Sequence, residues 1–281
     1  MNLYSETKFI LNKYNLTANK GYGQNFLIDE AIIESIIEKA DVSKDDLIIE
    51  IGPGLGNLTY PLLEKAGKVI CIELDPNMIN VLKERFSLYS NFELINNDVL
   101  KVDINELINK EHFKKAKVVA NLPYYITTPI IMKLLEEKLN LESITVMVQK
   151  EVAERLAQKP GAKDTSAITY SINYYTNPEI IINVPKESFI PIPKVDSSVL
   201  QLKILSEPKV KVEDENLFFK IVKAAFMQKR KTLLNSLSNS GLISKENIQK
   251  MLLDLNLDLK IRAEQLTLED YKNITEYIKR N

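Results

Sequence analysis

The sequence predicts an α/β protein built on a mostly parallel sheet, followed by a smaller all-helical C-terminal domain. Three observations carry this. Between residues 44 and 158, short apolar, β-branched runs alternate with segments of helical spacing, the rhythm of parallel strands and their crossover helices. The first of those runs opens into a glycine-rich turn. From Glu215 onward the strand-like runs vanish and only helical periodicity remains.

The elements follow in order. Ser5 to Tyr14 reads as a helix, and Lys20 to Leu27 as a loop punctuated by Gly21 and Gly23. Asp29 is a candidate N-cap for a helix over Ala31 to Ala40. Leu47 to Ile51 is a short buried strand. Gly52-Pro53-Gly54-Leu55-Gly56 ends it, and Leu58 to Ala66 reads as the next helix. Further strands are expected at Lys68 to Glu73, Phe92 to Asn96, Val118 to Asn121 and Ser143 to Val148. Helices are expected at Met78 to Phe86, Ile130 to Leu139 and Lys150 to Gln158. Ala167 to Tyr175 fits helix or strand. Glu179 to Val184 and Ser198 to Leu205 read as two closing strands joined by a proline-rich segment. Ser206-Glu207-Pro208 reads as a linker, so the expected domains are 1–206 and 207–281.

Composition narrows the chemistry. The chain is 45% hydrophobic and 27% charged, the range of a soluble globular protein. Its one cysteine, Cys71, excludes an internal disulfide and, inside Val69-Ile70-Cys71-Ile72, reads as a buried inert thiol. His112 is the sole histidine, so one His and one Cys cannot build a zinc site and no metal is expected. No apolar run approaches membrane-spanning length, and the polar N-terminus does not read as a signal peptide. A cytoplasmic, membrane-free monomer is the expectation. The net charge is only −1. Yet Asn216 to Ile243 holds no Asp or Glu while including Lys220, Lys223, Lys229, Arg230 and Lys231. That stretch reads as a local phosphate footprint or as a solvated helix face.

Strand, Gly-x-Gly-x-Gly, helix is a ligand-binding βα turn, because glycines let the backbone approach a ligand and open the helix N-terminus. A dinucleotide loop would read Gly-x-Gly-x-x-Gly, and Gly56 comes one residue early for that. Glu50, directly before the loop, opposes a phosphate but suits a cation. S-adenosylmethionine, with an ammonium, a sulfonium and no phosphate, fits the loop better than NAD. Glu73 ends the second strand, where a carboxylate can accept both ribose hydroxyls. Asp98 follows the third strand, where a carboxylate can meet an adenine amine.

The fourth strand ends in Asn121-Leu122-Pro123-Tyr124. Pro123 removes a donor and fixes φ, so the ladder stops, and Leu122 is pushed to an extended conformation. The Asn121 amide oxygen and the Leu122 carbonyl then become two nearby acceptors beside the flat face of Tyr124. Such a group suits a planar ring bearing an exocyclic amine.

With these residues in view, the chain resembles the KsgA family, the small-subunit ribosomal RNA adenine dimethyltransferases, over nearly its whole length. Gly23-Gln24-Asn25-Phe26-Leu27, Glu50 to Gly56, Asn121 to Tyr124, Phe189 to Ser197 and Phe226 to Leu233 are each similar to a family motif, and they occur in the family's order. One departure is visible: Thr165-Ser166 stands where the family usually has an aromatic–glycine pair. The resemblance implies a Rossmann-like, S-adenosylmethionine-dependent methyltransferase domain with a helical RNA-recognition domain after it. Asn25 and the Leu27 backbone would cover the methionine end of the cofactor, and Gly52 and Gly54 would pass beneath it. Glu73 would hold its ribose and Asp98 its adenine. Asn121 would serve both cofactor and target amine, with Tyr124 and Phe189 stacking the target base. Lys229, Arg230 and Lys231 would grip RNA phosphates. The implied substrate is a pair of adjacent adenosines in a hairpin loop near the 3′ end of 16S rRNA, within a pre-assembled small subunit. The rivals are a large-subunit (23S) rRNA adenine methyltransferase of the antibiotic-resistance type and a non-enzymatic ribosome-assembly or RNA-binding factor.

Overall fold

The computed structural model describes residues 2–228 and 230–280. They divide into two compact units: Met1–Glu154 with Glu179–Ile204, and Arg155–Pro178 with Leu205–Asn281.

The first unit begins with α1 (Leu3–Lys13), capped by Asn2, whose side chain accepts from the Ser5 amide. Then come β1 (Phe26–Leu27) and α2 (Glu30–Lys39), which Asp29 caps as the sequence predicts. β2 (Leu47–Ile51) leads through the glycine turn to α3 (Thr59–Lys65), and β3 (Lys68–Glu73) leads to α4 (Pro76–Arg85). Asp75 caps α4, and Pro76 opens it where a missing N–H costs nothing. β4 (Phe92–Asn96), α5 (Ile104–Lys110), β5 (Ala116–Asn121), α6 (Thr127–Glu136), β6 (Leu141–Gln149) and α7 (Lys150–Ala157) complete the alternation. Next are α8 (Ala167–Tyr175), β7 (Thr176–Val184), β8 (Phe189–Ile190) and β9 (Ser197–Ile204).

Seven strands form one sheet in the order β4-β3-β2-β5-β6-β9-β7. β2, β3, β4, β5 and β6 pair in parallel, and β9 runs antiparallel to β6. Strands 2, 3 and 5 are almost wholly buried because both sheet faces are covered. The order places the site. From β2 the chain winds outward through β3 and β4, then returns to the other side of β2 for β5 and β6. The carboxyl ends of β2 and β5 therefore flank a topological switch point, where open α/β sheets bind ligands.

The second unit contains α9 (Glu215–Phe226), α10 (Leu233–Asn239), α11 (Lys245–Asp254) and α12 (Leu268–Arg280), together with α8. The expected boundary after residue 206 needs correction here, because residues 155–178 belong with the helices that follow 204. The physical reason is aromatic. Tyr170 and Tyr174, one helical turn apart, are fully buried in a core with Phe218, Ile221, Leu237 and Tyr271. Tyr170 packs edge-on against Tyr271 at 5.0 Å, and its hydroxyl donates to the Leu266 carbonyl at 2.6 Å. That burial decides the ambiguous 167–175 stretch in favour of helix. Ser166, part of the unusual Thr165-Ser166 pair, stands at its N-cap, and the Ser166 N–H donates to Thr169 Oγ1 at 3.2 Å.

Candidate active site

A cleft opens at the switch point, lined by the 22–27 loop, the glycine turn, the ends of β3 and β5, and residues 97–99. Gly52, Gly54 and Gly56 all have positive φ. They do different things. A Cβ on Gly54 would meet the Phe26 ring at 3.2 Å on the wall of the cleft. A Cβ on Gly56 would meet Phe86 at 2.5 Å. Gly56 therefore serves the packing of α4 rather than the ligand, which explains why its spacing misses the dinucleotide pattern.

Glu73 sits at the end of β3 as expected, and it is buried. Its Oε2 accepts from the Gly54 amide at 3.1 Å; its Oε1 accepts from the Leu74 and Asp75 amides, each at 2.9 Å. Burial pushes its pKa up, and these three backbone donors pull the other way. Glu73 thereby ties the glycine turn to β3. Asp98 lines the cleft and uses Oδ1 to cap the following turn through the Leu100 amide at 3.0 Å. Glu50 lies beneath the turn, 1% exposed, with Oε2 accepting from Thr59 Oγ1 at 2.7 Å. Burial raises its pKa to about 7. The buried Cys71 thiol is pushed well above its ordinary value, first by burial and then by Glu50, so it is unreactive.

The lip of the cleft is Asn121 to Tyr124. The Asn121 amide nitrogen donates to the Asn25 carbonyl at 3.1 Å. That bond fixes the orientation of the amide, and its Oδ1 accepts no hydrogen bond among the described residues. The Leu122 amide donates to Met147 at 3.1 Å, while the Leu122 carbonyl accepts nothing among them. Tyr124 is half-buried, and its hydroxyl is 2.7 Å from Ser197 Oγ. The structure thus brings together Asn25, Leu27, Gly52, Gly54, Glu73, Asp98, Asn121, Leu122, Pro123 and Tyr124 around one cleft.

Phe189 stands apart. It is 0% exposed, pairs antiparallel with Leu27 through β8 and β1, and belongs to the hydrophobic core with Phe26 and Leu27. A ring with no accessible face does not stack a base in this conformation, so the expected second stacking face is corrected to a support for the 25–27 segment. Arg230 and Lys231 are exposed in the second unit, between α9 and α10. Lys229 lies outside the described residues.

Sequence reasoning missed Asn57. It is buried in the cleft wall, and its amide nitrogen donates to the Leu27 carbonyl at 2.8 Å and to Thr7 Oγ1 at 2.9 Å. An amide directly after the glycine turn, ahead of the next helix, was the available signal. Tyr125, 55% exposed, also lines the cleft.

Among the described residues the lining carries three carboxylates, Glu50, Glu73 and Asp98, and no Lys, Arg or His. A pyrophosphate would find no cation there. A nucleoside carrying a positively charged sulfur and amine fits it. The fold and this cleft are those of an S-adenosylmethionine-dependent methyltransferase with a Rossmann-like sheet. Comparison narrows the class. Residues 15–280 match the model of the ribosomal RNA adenine dimethylase family, and the chain belongs to that family. A ribosomal RNA small subunit methyltransferase A from Alkaliphilus metalliredigens is 51% identical over 98% of this chain and 96% of its own length. Among solved structures, a dimethyladenosine transferase from Plasmodium falciparum superposes with a TM-score of 0.74 at 28% identity, covering 91% of this chain and 98% of its own. The 23S rRNA methyltransferase ErmE gives 0.68 at 25% identity, covering 91% and 100%.

Proposed function

We propose that the protein transfers methyl groups from S-adenosylmethionine to N6 of two adjacent adenosines in a hairpin loop near the 3′ end of 16S rRNA, yielding N6,N6-dimethyladenosine. The substrate is the small subunit in an assembled form, and the reaction belongs to small-subunit biogenesis. The near-full-length similarity to small-subunit enzymes supports this target over the large-subunit one.

One observation carries the chemistry: the Asn121 amide, held by Asn25, keeps Oδ1 without a partner at the end of β5. S-adenosylmethionine supplies a methyl already activated on a sulfonium. The obstacle is the adenine N6 lone pair, which is delocalised into the ring. Asn121 Oδ1 and the Leu122 carbonyl accept the two amine hydrogens, orient the nitrogen and favour its pyramidal form. That is positioning plus preorganised electrostatics, and it needs no side chain of shifted pKa. Tyr124 stacks one face of the base, and Ser197 holds the ring in place through the phenol. Asn25, Leu27, Gly52 and Gly54 shape the cofactor side, with Glu73 toward its ribose and Asp98 toward its adenine. The base must be unpaired or extruded to enter, which a hairpin loop permits at low cost. The helical unit, with Lys229, Arg230 and Lys231, grips backbone phosphates.

The test is methyl transfer to isolated small subunits and to large subunits, both lacking modification, with the product nucleoside identified. Dimethyladenosine on small subunits alone is expected. Methylation confined to large subunits, or no transfer despite cofactor binding, would overturn the proposal.

A further inference from the structure

The second unit contains a cavity that the methyl-transfer reading leaves unused. We infer that it is a seat for a phosphodiester of the RNA backbone, held between Lys159 and Lys209. This rests on the RNA-methylating function proposed above and adds a contact site to it.

The cavity offers about 350 Å³ of space open to solvent, far more than the ~10–15 Å³ one water needs, and both lysines are exposed at its rim. Its walls include Lys159, Lys209, Asn173, Asn177, Pro160 and Pro178, and no carboxylate among the described residues. All of these residues lie within the helical unit. Lys209 Nζ is 3.5 Å from Asn173 Oδ1, at the edge of hydrogen-bond range. The Asn173 amide nitrogen is already committed, donating to the Gln158 carbonyl at 2.8 Å and the Thr169 carbonyl at 2.9 Å. The cavity therefore has a fixed floor. Neither lysine pairs with an acid among the described residues. Two ammonium groups facing one cavity repel each other, and this repulsion, after burial, lowers the Lys209 pKa. An anion between them would relieve both effects.

The setting is also rigid. Lys159 precedes Pro160, so its backbone is restricted before any ligand arrives. The Lys209 amide is pinned to the Tyr174 carbonyl at 3.1 Å. α12 opens at Leu268 on the cavity wall, and the acids of its first turn, Glu269 and Asp270, are already engaged with Lys272 and Thr267. Lysine binds phosphate as a point charge, which two ammonium groups on one cavity suit.

The experiment measures binding of the full chain to unmethylated small subunits across salt concentrations from about 50 to 200 mM. Lys159→Ala with Lys209→Ala should lower the slope of log affinity against log salt by about 1 to 2. Affinity should fall several-fold at the lowest salt. Lys159→Arg with Lys209→Arg should keep the wild-type slope, and S-adenosylmethionine affinity should be unchanged in both. An alanine pair that binds the cofactor normally and keeps the wild-type slope overturns the inference. So does an arginine pair that loses as much as the alanine pair. Pyrophosphate is the second arm: saturation of the cavity by pyrophosphate with no effect on subunit binding would assign the seat to a free phosphate and overturn its assignment to RNA. Wild-type methyl transfer is measured alongside. Its failure breaks the proposed function, whereas a change of salt slope speaks only to this cavity.

Discussion

Two cavities of this protein have opposite electrostatics. Among the described residues, the cleft of the sheet unit holds three carboxylates and no basic side chain. Among the same residues, the cavity of the helical unit holds two lysines and no carboxylate. A near-neutral chain conceals this, because the opposite charges cancel in the sum. The lesson is that overall charge says little about ligands here; the local sign at each concave surface does. The acid-lined cleft selects a cationic, phosphate-free nucleoside, and the lysine-lined cavity selects an anion.

The sharpest way to break that contrast is at the lip of the acidic cleft. Asn121→Ala should lower the methyl-transfer rate by about 10²–10³-fold while sparing binding to small subunits. Near-wild-type turnover in a single-turnover assay would remove Asn121 from the chemistry. Tyr124→Phe should cost much less than Tyr124→Ala, since it keeps the ring and loses only the Ser197 bond. Equal losses in the two variants would mean that the hydroxyl, not the ring, matters.

Next is Glu50. Its pKa of about 7 in the fold lies above the ordinary 4.5, so the folded state holds the proton more tightly than the unfolded chain. Between those values stability falls as pH rises, by about 3 kcal/mol at most, and the loss is complete above about pH 7. Glu50→Gln should flatten that segment of the Tm-against-pH curve. An identical curve for the variant would show that Glu50 ionises freely.

For Glu73→Ala the expected change is weaker S-adenosylmethionine binding by about 10- to 100-fold, the range for losing charge-assisted hydrogen bonds. Calorimetric titration checks it, with Glu73→Gln as a milder control. The smallest effect belongs to the exposed basic residues. Arg230→Ala and Lys231→Ala should each weaken RNA binding modestly and lower its salt slope by about 1. An unchanged slope would return that stretch to a solvated helix face.

Much of the sheet was legible because parallel strands buried on both faces are continuous apolar runs, as in Leu47–Ile51 and Lys68–Glu73. Strand ends were legible for the same reason, so Glu73, Asp98 and Asn121 could be named as candidates. What was hidden is long-range. Nothing local says that Asn25 holds Asn121, 96 residues away, or that Asn57 holds Leu27. Phe189 read as a stacking ring because a strand-end aromatic looks the same whether its face is open or packed; only the pairing of β8 with β1 decides. α5 was missed because it is two turns long, with only Ile104 and Ile108 to mark its buried side. Gly56 was read as part of the ligand loop, although its demand comes from Phe86, thirty residues later.

The membership of residues 155–178 in the helical unit has a practical consequence for dissecting the protein. Severing the chain after residue 206 looks, on paper, like a clean separation of the sheet from the C-terminal helices. It would instead strand α8 on the wrong fragment, stripping Tyr170 and Tyr174 of the partners that bury them. The N-terminal fragment would carry a bare aromatic surface prone to self-association. Its C-terminal counterpart would lack a wall of its core and both the Lys159 and Asn173 sides of its cavity. A dissection that leaves the cores whole keeps 155–178 with 205–281.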